Sequence, residues 1–357
     1  MRVRNFLAPA LTALMLTVLS GHAQAAPGSI LPGAGGNAAL TPPPYSHRPQ
    51  GPFTKVWNEQ LPATSPPGTA YSQVAFDAAR SQVVMFGGNT EAGYTDATWT
   101  WDASTWVQHY PSQAPAPRTG HAFAYDPMRR EVVLFGGIES ETALADTWTW
   151  DGDNWTLRTP TVSPPARYGA AMAFDPGLGK LVLFGGFDYQ VGFFADTWTW
   201  DGTAWIELHP PASPSARYAA HLAFDRSSQT LILFGGYGDG GVLGDTWSWD
   251  GSTWTEEHPR HSPMPRSGYG MDTVGRHVVL FGGAAPAGFY GDTWVWQGDT
   301  WIRLQAPISP RPRTGVALAL DPAHHEVLIF GGYSRKEGLQ GHFLDDTWVL
   351  RNGTLDR

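Results

Sequence analysis

The chain of 357 residues contains no cysteine. That absence excludes disulfides, thiolate-bound zinc, iron–sulfur clusters and cysteine nucleophiles together. Positive charge is also scarce: 23 Lys and Arg stand against 32 Asp and Glu, for a formal charge of −9. No basic run is long enough to form a nucleic-acid surface, so no nucleic acid is expected as a partner. Long apolar segments are missing too. No stretch beyond the N-terminus holds 18 consecutive apolar residues, and no membrane span is expected in the mature chain. What the sequence has in plenty is 17 Trp, 42 Gly and 30 Pro, with 42% hydrophobic residues. That is the composition of a folded protein rich in turns and aromatic packing.

The N-terminus reads as a targeting segment. Arg2 and Arg4 precede an apolar stretch from Phe6 to Leu19, and Ala23-Gln24-Ala25 supplies small residues where a signal peptidase cuts. Residues 1–25 are expected to be removed after Ala25, giving a secreted or periplasmic protein. Residues 26–53, with Pro42-Pro43-Pro44, have no period and read as a flexible leader rich in Pro, Gly and Ala. Asn154-Trp155-Thr156 and Asn352-Gly353-Thr354 match the glycan-acceptor pattern, which matters only in a eukaryotic secretory pathway.

Residues 54–357 are repetitive. Phe-Gly-Gly begins at Phe86, Phe135, Phe184, Phe234, Phe281 and Phe330, in steps of 49, 49, 50, 47 and 49 residues. Each repeat holds four short β-branched or aromatic runs bounded by Gly, Pro or Asp, which predicts four strands and no helix. Trp99, Trp148, Trp198, Trp247, Trp294 and Trp348 share one position of the third strand. Trp101, Trp150, Trp200, Trp249 and Trp296 follow two residues later on the same face, with Leu350 in the sixth repeat. Trp106, Trp155, Trp205, Trp254 and Trp301 open the fourth strand. Trp57 is left over, in a segment that matches a fourth strand with no strands before it, while the last repeat ends as its fourth strand is due. Residues 54–60 are therefore expected to pair with residues 345–350, closing the array and removing its exposed edges.

The period near 50, the Gly-Gly after the second strand and the spaced tryptophans resemble kelch repeats. The resemblance implies an all-β, six-bladed propeller of four antiparallel strands per blade, with the first strands around a central channel. Kelch-type oxidases with a copper–radical site need a cysteine–tyrosine cross-link, which this chain cannot make. The spaced Glu, Asp and His of plant-type specifier propellers have no counterpart here. The leading expectation is a non-catalytic protein that binds a protein, peptide or glycan through the face carrying the long loops. The alternative is an exported carbohydrate-active kelch enzyme similar to those that interconvert sialic acid anomers. No cofactor or metal is expected in the leading reading.

Candidate site residues follow from that face. Arg118, Arg167, Arg217, Arg266 and Arg313 each open a first strand after a Pro-containing link, with Thr69 at the aligned position of the first repeat. Their forked donors could ring the channel mouth and hold an anion, or serve the repeat itself. Asp96, Asp146, Asp196, Asp245, Asp292 and Asp346 precede the third strands and are expected to cap loops by accepting backbone N–H bonds. The third long loop carries Tyr189, Phe193 and Phe194; the sixth is the longest and carries Arg335, Lys336, Glu337, His342 and Phe343. Exposed aromatics beside charges suit sugar or peptide recognition. His121, His221 and Asp272 are the titratable first-strand residues, with one of the two histidines expected to face the channel.

Overall fold

A computed structural model describes residues 55–335 and 340–352. The expected signal peptide and leader, Lys336 and Glu337 lie outside the described residues. Among the described residues there is no helix, and the main strands form six four-stranded antiparallel sheets.

The third sheet shows how the sequence builds one. Its strands are Ala171–Asp175, Lys180–Phe184, Thr197–Trp200 and Trp205–Leu208, in that order across the sheet. Leu181 to Phe184 are all buried, because neighbouring sheets cover both faces of this strand. Asp175 closes the first turn by accepting the N–H groups of Gly177 and Leu178 through Oδ1, and Asp201 does the same for Thr203 and Ala204 in the last turn. The Asp-Gly turns are thus structural.

The sixth sheet is built from both ends of the chain. Ala317–Asp321, Glu326–Phe330 and Thr347–Asn352 are joined by Lys55–Gln60 as the outer strand. Trp57 stands opposite Leu350 and Gln60 opposite Thr347. The partner segment is two residues further along than the expected 345–350.

Apolar clusters fill every junction between successive sheets. Ala122, Val133 and Phe135 of the second meet Leu181, Leu183 and Trp205 of the third, and Val83 and Trp106 of the first meet Leu328 and Phe330 of the sixth. The first strands pack each against the next, and Gln73–Asp77 also packs against Ala317–Asp321. A hydrogen bond spans each junction as well. The fourth-strand indoles of Trp106, Trp155, Trp205, Trp254, Trp301 and Trp57 donate to Thr347, Thr98, Thr147, Thr197, Thr246 and Thr293 at 2.9–3.1 Å. Each such bond adds about 1 kcal/mol net, and more is lost when its buried partner is left unpaired. Among the described residues the indole N–H groups of Trp101, Trp150, Trp200, Trp249 and Trp296 have no hydrogen-bond partner; each ring lies 5.2–5.5 Å from the fourth-strand tryptophan of its own sheet.

Candidate ligand-binding face

The channel is narrowed by a belt of backbone. Tyr71, Gly120, Gly169, Ala219, Gly268 and Gly315, two residues after Thr69 and the five arginines, all have left-handed φ between 54° and 67°. Each donates its N–H to the carbonyl of the preceding member, at 2.6–3.4 Å, and Tyr71 completes the circuit through Gly315. Glycine holds this conformation without a Cβ penalty. Tyr71 does not share that freedom, and its ring lies where a Cβ on Gly315 would come within 2.9 Å. Its phenol hydrogen-bonds the side chain of Thr314, so the ring packs along the neighbouring belt position.

The belt borders a cavity of about 80 Å3 that opens to solvent, and its walls include Gln73, His121, Phe123, Met172 and His221. Both histidines thus contribute to the lining, where only one was expected. His221 is partly exposed, and burial holds its pKa down at about 4. His121 is buried in T-shaped contacts with Phe86 and Phe123, and among the described residues neither ring nitrogen has a partner. Burial, and then the Arg118 charge, hold it well below the ordinary histidine value. Asp272 is not a free channel carboxylate. It accepts the N–H of Leu320 at 2.8 Å and of its neighbour Thr273 at 2.6 Å, tying the fifth first strand to the sixth. Burial nevertheless pushes its pKa up to about 6.

The five arginines do not form an open anion ring. Arg118, Arg167, Arg217, Arg266 and Arg313 are buried and grip Asp146, Asp196, Asp245, Asp292 and Asp346 through both terminal nitrogens. Each also donates to the carbonyl of the first glycine after its Phe, at 2.9–3.0 Å. A buried guanidinium needs a charged, well-aligned partner, and the aspartate of the same sheet supplies it. This also corrects the expected role of those aspartates, which take arginine and the indole N–H two residues on rather than capping a loop. Burial would raise the carboxyls of Asp245, Asp292 and Asp346, but the arginine bonds and charge outweigh it and hold them below the ordinary range.

Two aromatics belong to this support. Phe194 lies 3.9 Å from the Arg167 guanidinium and Tyr290 lies 4.0 Å from that of Arg266. Phe194 thus packs on the strut while remaining partly exposed. In the first sheet Thr69 bonds to Pro67, and Asp96 is exposed. The backbone of Thr69 still links the first and sixth sheets through Leu344 and Gly332, as the arginine backbones do elsewhere.

Tyr189 and Phe193 are brought together. The hairpin of Phe187–Asp188 and Gly192–Phe193 is capped by Asp188, which accepts the N–H groups of Gln190 and Val191. Phe187 sits 4.8 Å from Phe193 and 5.4 Å from Tyr189, and Tyr168, Tyr218 and Tyr237 pack around them at 5.7–6.3 Å. Tyr189 is 45% exposed. The sequence signal for this cluster was an aromatic directly after the arginine in two successive repeats, Tyr168 and Tyr218, where the others carry Thr119, Ser267 and Thr314. Phe343 forms a smaller group with Tyr333 at 5.4 Å, His342 lies 3.4 Å from Arg311, and Arg335 is exposed.

Among the described residues, no group of three or more His, Asp or Glu could hold a metal, and no helix is long and apolar enough to cross a membrane. The chain matches no curated protein. The family model of the KLHDC2/KLHL20/DRC7 Kelch-repeats domain matches it twice in succession, over residues 52–201 and 201–356. With six like sheets, each carrying Phe-Gly-Gly at its second strand, and a family match over most of its length, the chain belongs to the kelch-repeat family.

Proposed function

We propose that the protein is exported and that residues 54–357 form a propeller of six blades, closed by its N-terminal strand, which binds a partner protein through the long-loop face. The observation that carries the binding role is the half-exposed aromatic cluster around Tyr189, because an apolar patch at the mouth of a channel marks an interaction surface. The circuit of Trp–Thr bonds and the sheet made from both chain ends support closure. Export rests on residues 1–25. The alternative, an enzyme acting on sialic acid, has less support because each arginine suited to a carboxylate is paired with its own aspartate.

Selection of a random peptide library on the mature chain tests the binding role. Enriched peptides should lose at least tenfold in affinity when Tyr189→Ala and Phe193→Ala are combined in a variant that keeps the wild-type melting temperature. Enrichment that survives the double variant, or no enrichment at all, overturns the proposal.

A further inference from the structure

The long-loop face is electrically lopsided. Over the first four blades, the loops and links carry Glu91, Asp96, Glu139, Glu141, Asp188 and Asp239. They contain no lysine, and their three arginines are the buried Arg118, Arg167 and Arg217, each already neutralised by its aspartate. The exposed bases described on this face are Arg260, Arg311 and Arg335, on the last two blades, beside one exposed acid, Asp345. The aromatic cluster lies over the third and fourth blades, inside the acidic part. Tyr94 of the first blade adjoins it: burial, then Tyr189 and Glu141, push its phenol up to about 12. An electron-rich ring cluster in the acidic part of the face, where the loops and links hold no unpaired Lys or Arg, is complementary to a cation.

We propose that this patch binds a basic side chain of a partner polypeptide, an arginine or lysine seated over the aromatic faces around Tyr189 and balanced by Glu91, Glu139 and Glu141. The proposal rests on the long-loop face being the binding face and adds the chemistry of its ligand. A planar guanidinium stacks on tyrosine while keeping its edge donors free for carboxylates, so arginine should be preferred over lysine. The attraction is screened by salt, whereas simple burial of apolar area is not.

The test is a titration of the mature chain with three labelled peptides: acetyl-GSRPRSG-amide, the same peptide with citrulline for arginine, and the same peptide with glutamate for arginine. The arginine peptide should bind at least tenfold more tightly than the citrulline peptide, and the glutamate peptide should not bind. Raising sodium chloride from about 0.1 M to about 0.5 M should erase most of that preference. Tyr189→Ala should weaken the arginine peptide at least tenfold, the combined Glu91→Gln, Glu139→Gln and Glu141→Gln variant should reduce the arginine preference to less than threefold, and Arg335→Gln should change nothing. Equal binding of the arginine and citrulline peptides, or no binding of the arginine peptide at millimolar concentration, overturns the proposal. If the glutamate peptide binds instead and Tyr189→Ala abolishes it, the cation assignment falls while the binding face stands. If the arginine peptide binds but ignores Tyr189→Ala, the proposed site falls.

Discussion

In the proposed propeller, blade one and the five blades after it are made from the same repeat, yet they are held differently. Blades two to six each carry a buried Arg–Asp strut beneath their long loop. Blade one has Thr69 in place of the arginine, and its Asp96 is exposed. Both ends of the strut are altered together, and Ala97 is inserted between that aspartate and the third strand. Blade one keeps the links that join blades: the Thr69 backbone bonds, the belt position of Tyr71 and the indole bond from Trp106 to Thr347. What it lacks is the support inside the blade. Contacts between blades are therefore separable from the strut, and the strut serves the loop of its own blade.

The strongest test of that separation is the pair Asp196→Ala and Asp96→Ala. Removing Asp196 leaves the buried Arg167 guanidinium with carbonyl acceptors and the Phe194 ring but no counter-charge, and should destabilise the fold by about 3–5 kcal/mol. Removing Asp96 should change stability by less than about 0.5 kcal/mol. Urea unfolding of both variants checks this. If the two lose similar stability, the strut is not what distinguishes blade one.

A smaller effect is expected at the belt. A Cβ on Gly169 would meet the Tyr218 ring at 2.8 Å and the Ala219 nitrogen at 3.1 Å, whereas on Gly120 its nearest neighbour would be 3.6 Å away. Both positions are left-handed, and Ala219 shows that the belt accepts alanine where space allows. Gly120→Ala should cost about 1 kcal/mol, the left-handed penalty alone. Gly169→Ala should cost about 2–3 kcal/mol, because the clash with Tyr218 adds to that penalty. Denaturant midpoints that place the two variants level, or in the reverse order, would contradict the packing of the third blade against the fourth.

Much of the fold was legible because each repeat states its four strands in the same words, and Trp57 was legible because it was the one tryptophan without repeat partners before it. The struts were legible in part: recurrence in nearly every repeat pointed to arginines that serve the repeat itself, but not to the aspartates that partner them. Arginine and aspartate lie 26–33 residues apart, too far for a local rule, and each alone looked like a candidate for a different chemistry. Their joint departure in the first repeat was the available sign that they act as a pair. The aromatic cluster was half legible: Tyr189 and Phe193 stood out in a loop, but Tyr168 and Tyr218 read as first-strand residues until the turn of the chain brought them to the mouth. Phe193 and Phe194 were not told apart, because adjacency in sequence does not say which of two aromatics packs within the loop and which covers the guanidinium beneath.

The smallest effect concerns residues that break the repeat within the channel, and it turns on sign. Asp272 has a folded pKa of about 6, above the ordinary carboxyl value near 3.9, so the native state holds its proton more tightly than the unfolded chain does. Its contribution to stability is full below about pH 4 and is lost as pH rises through about 6. His221 works the other way. Its folded pKa of about 4 lies below the ordinary histidine value near 6.5, so the unfolded chain binds the proton better and stability grows as pH rises from about 4 to 6.5. His121, also held low by burial, acts in the same direction as His221. In the wild type these opposing slopes offset one another between about pH 4 and 6.5. Asp272→Asn, which keeps one acceptor for the Leu320 N–H, should steepen the rise in stability across that window by on the order of 1 kcal/mol. His221→Gln should flatten the rise by a similar amount. Urea midpoints for both variants at about pH 4.5 and 6.5 check the signs. Equal wild-type and Asp272→Asn slopes would mean that the bonds from Leu320 and Thr273 outweigh burial, leaving Asp272 an ordinary anionic tie between the fifth and sixth first strands.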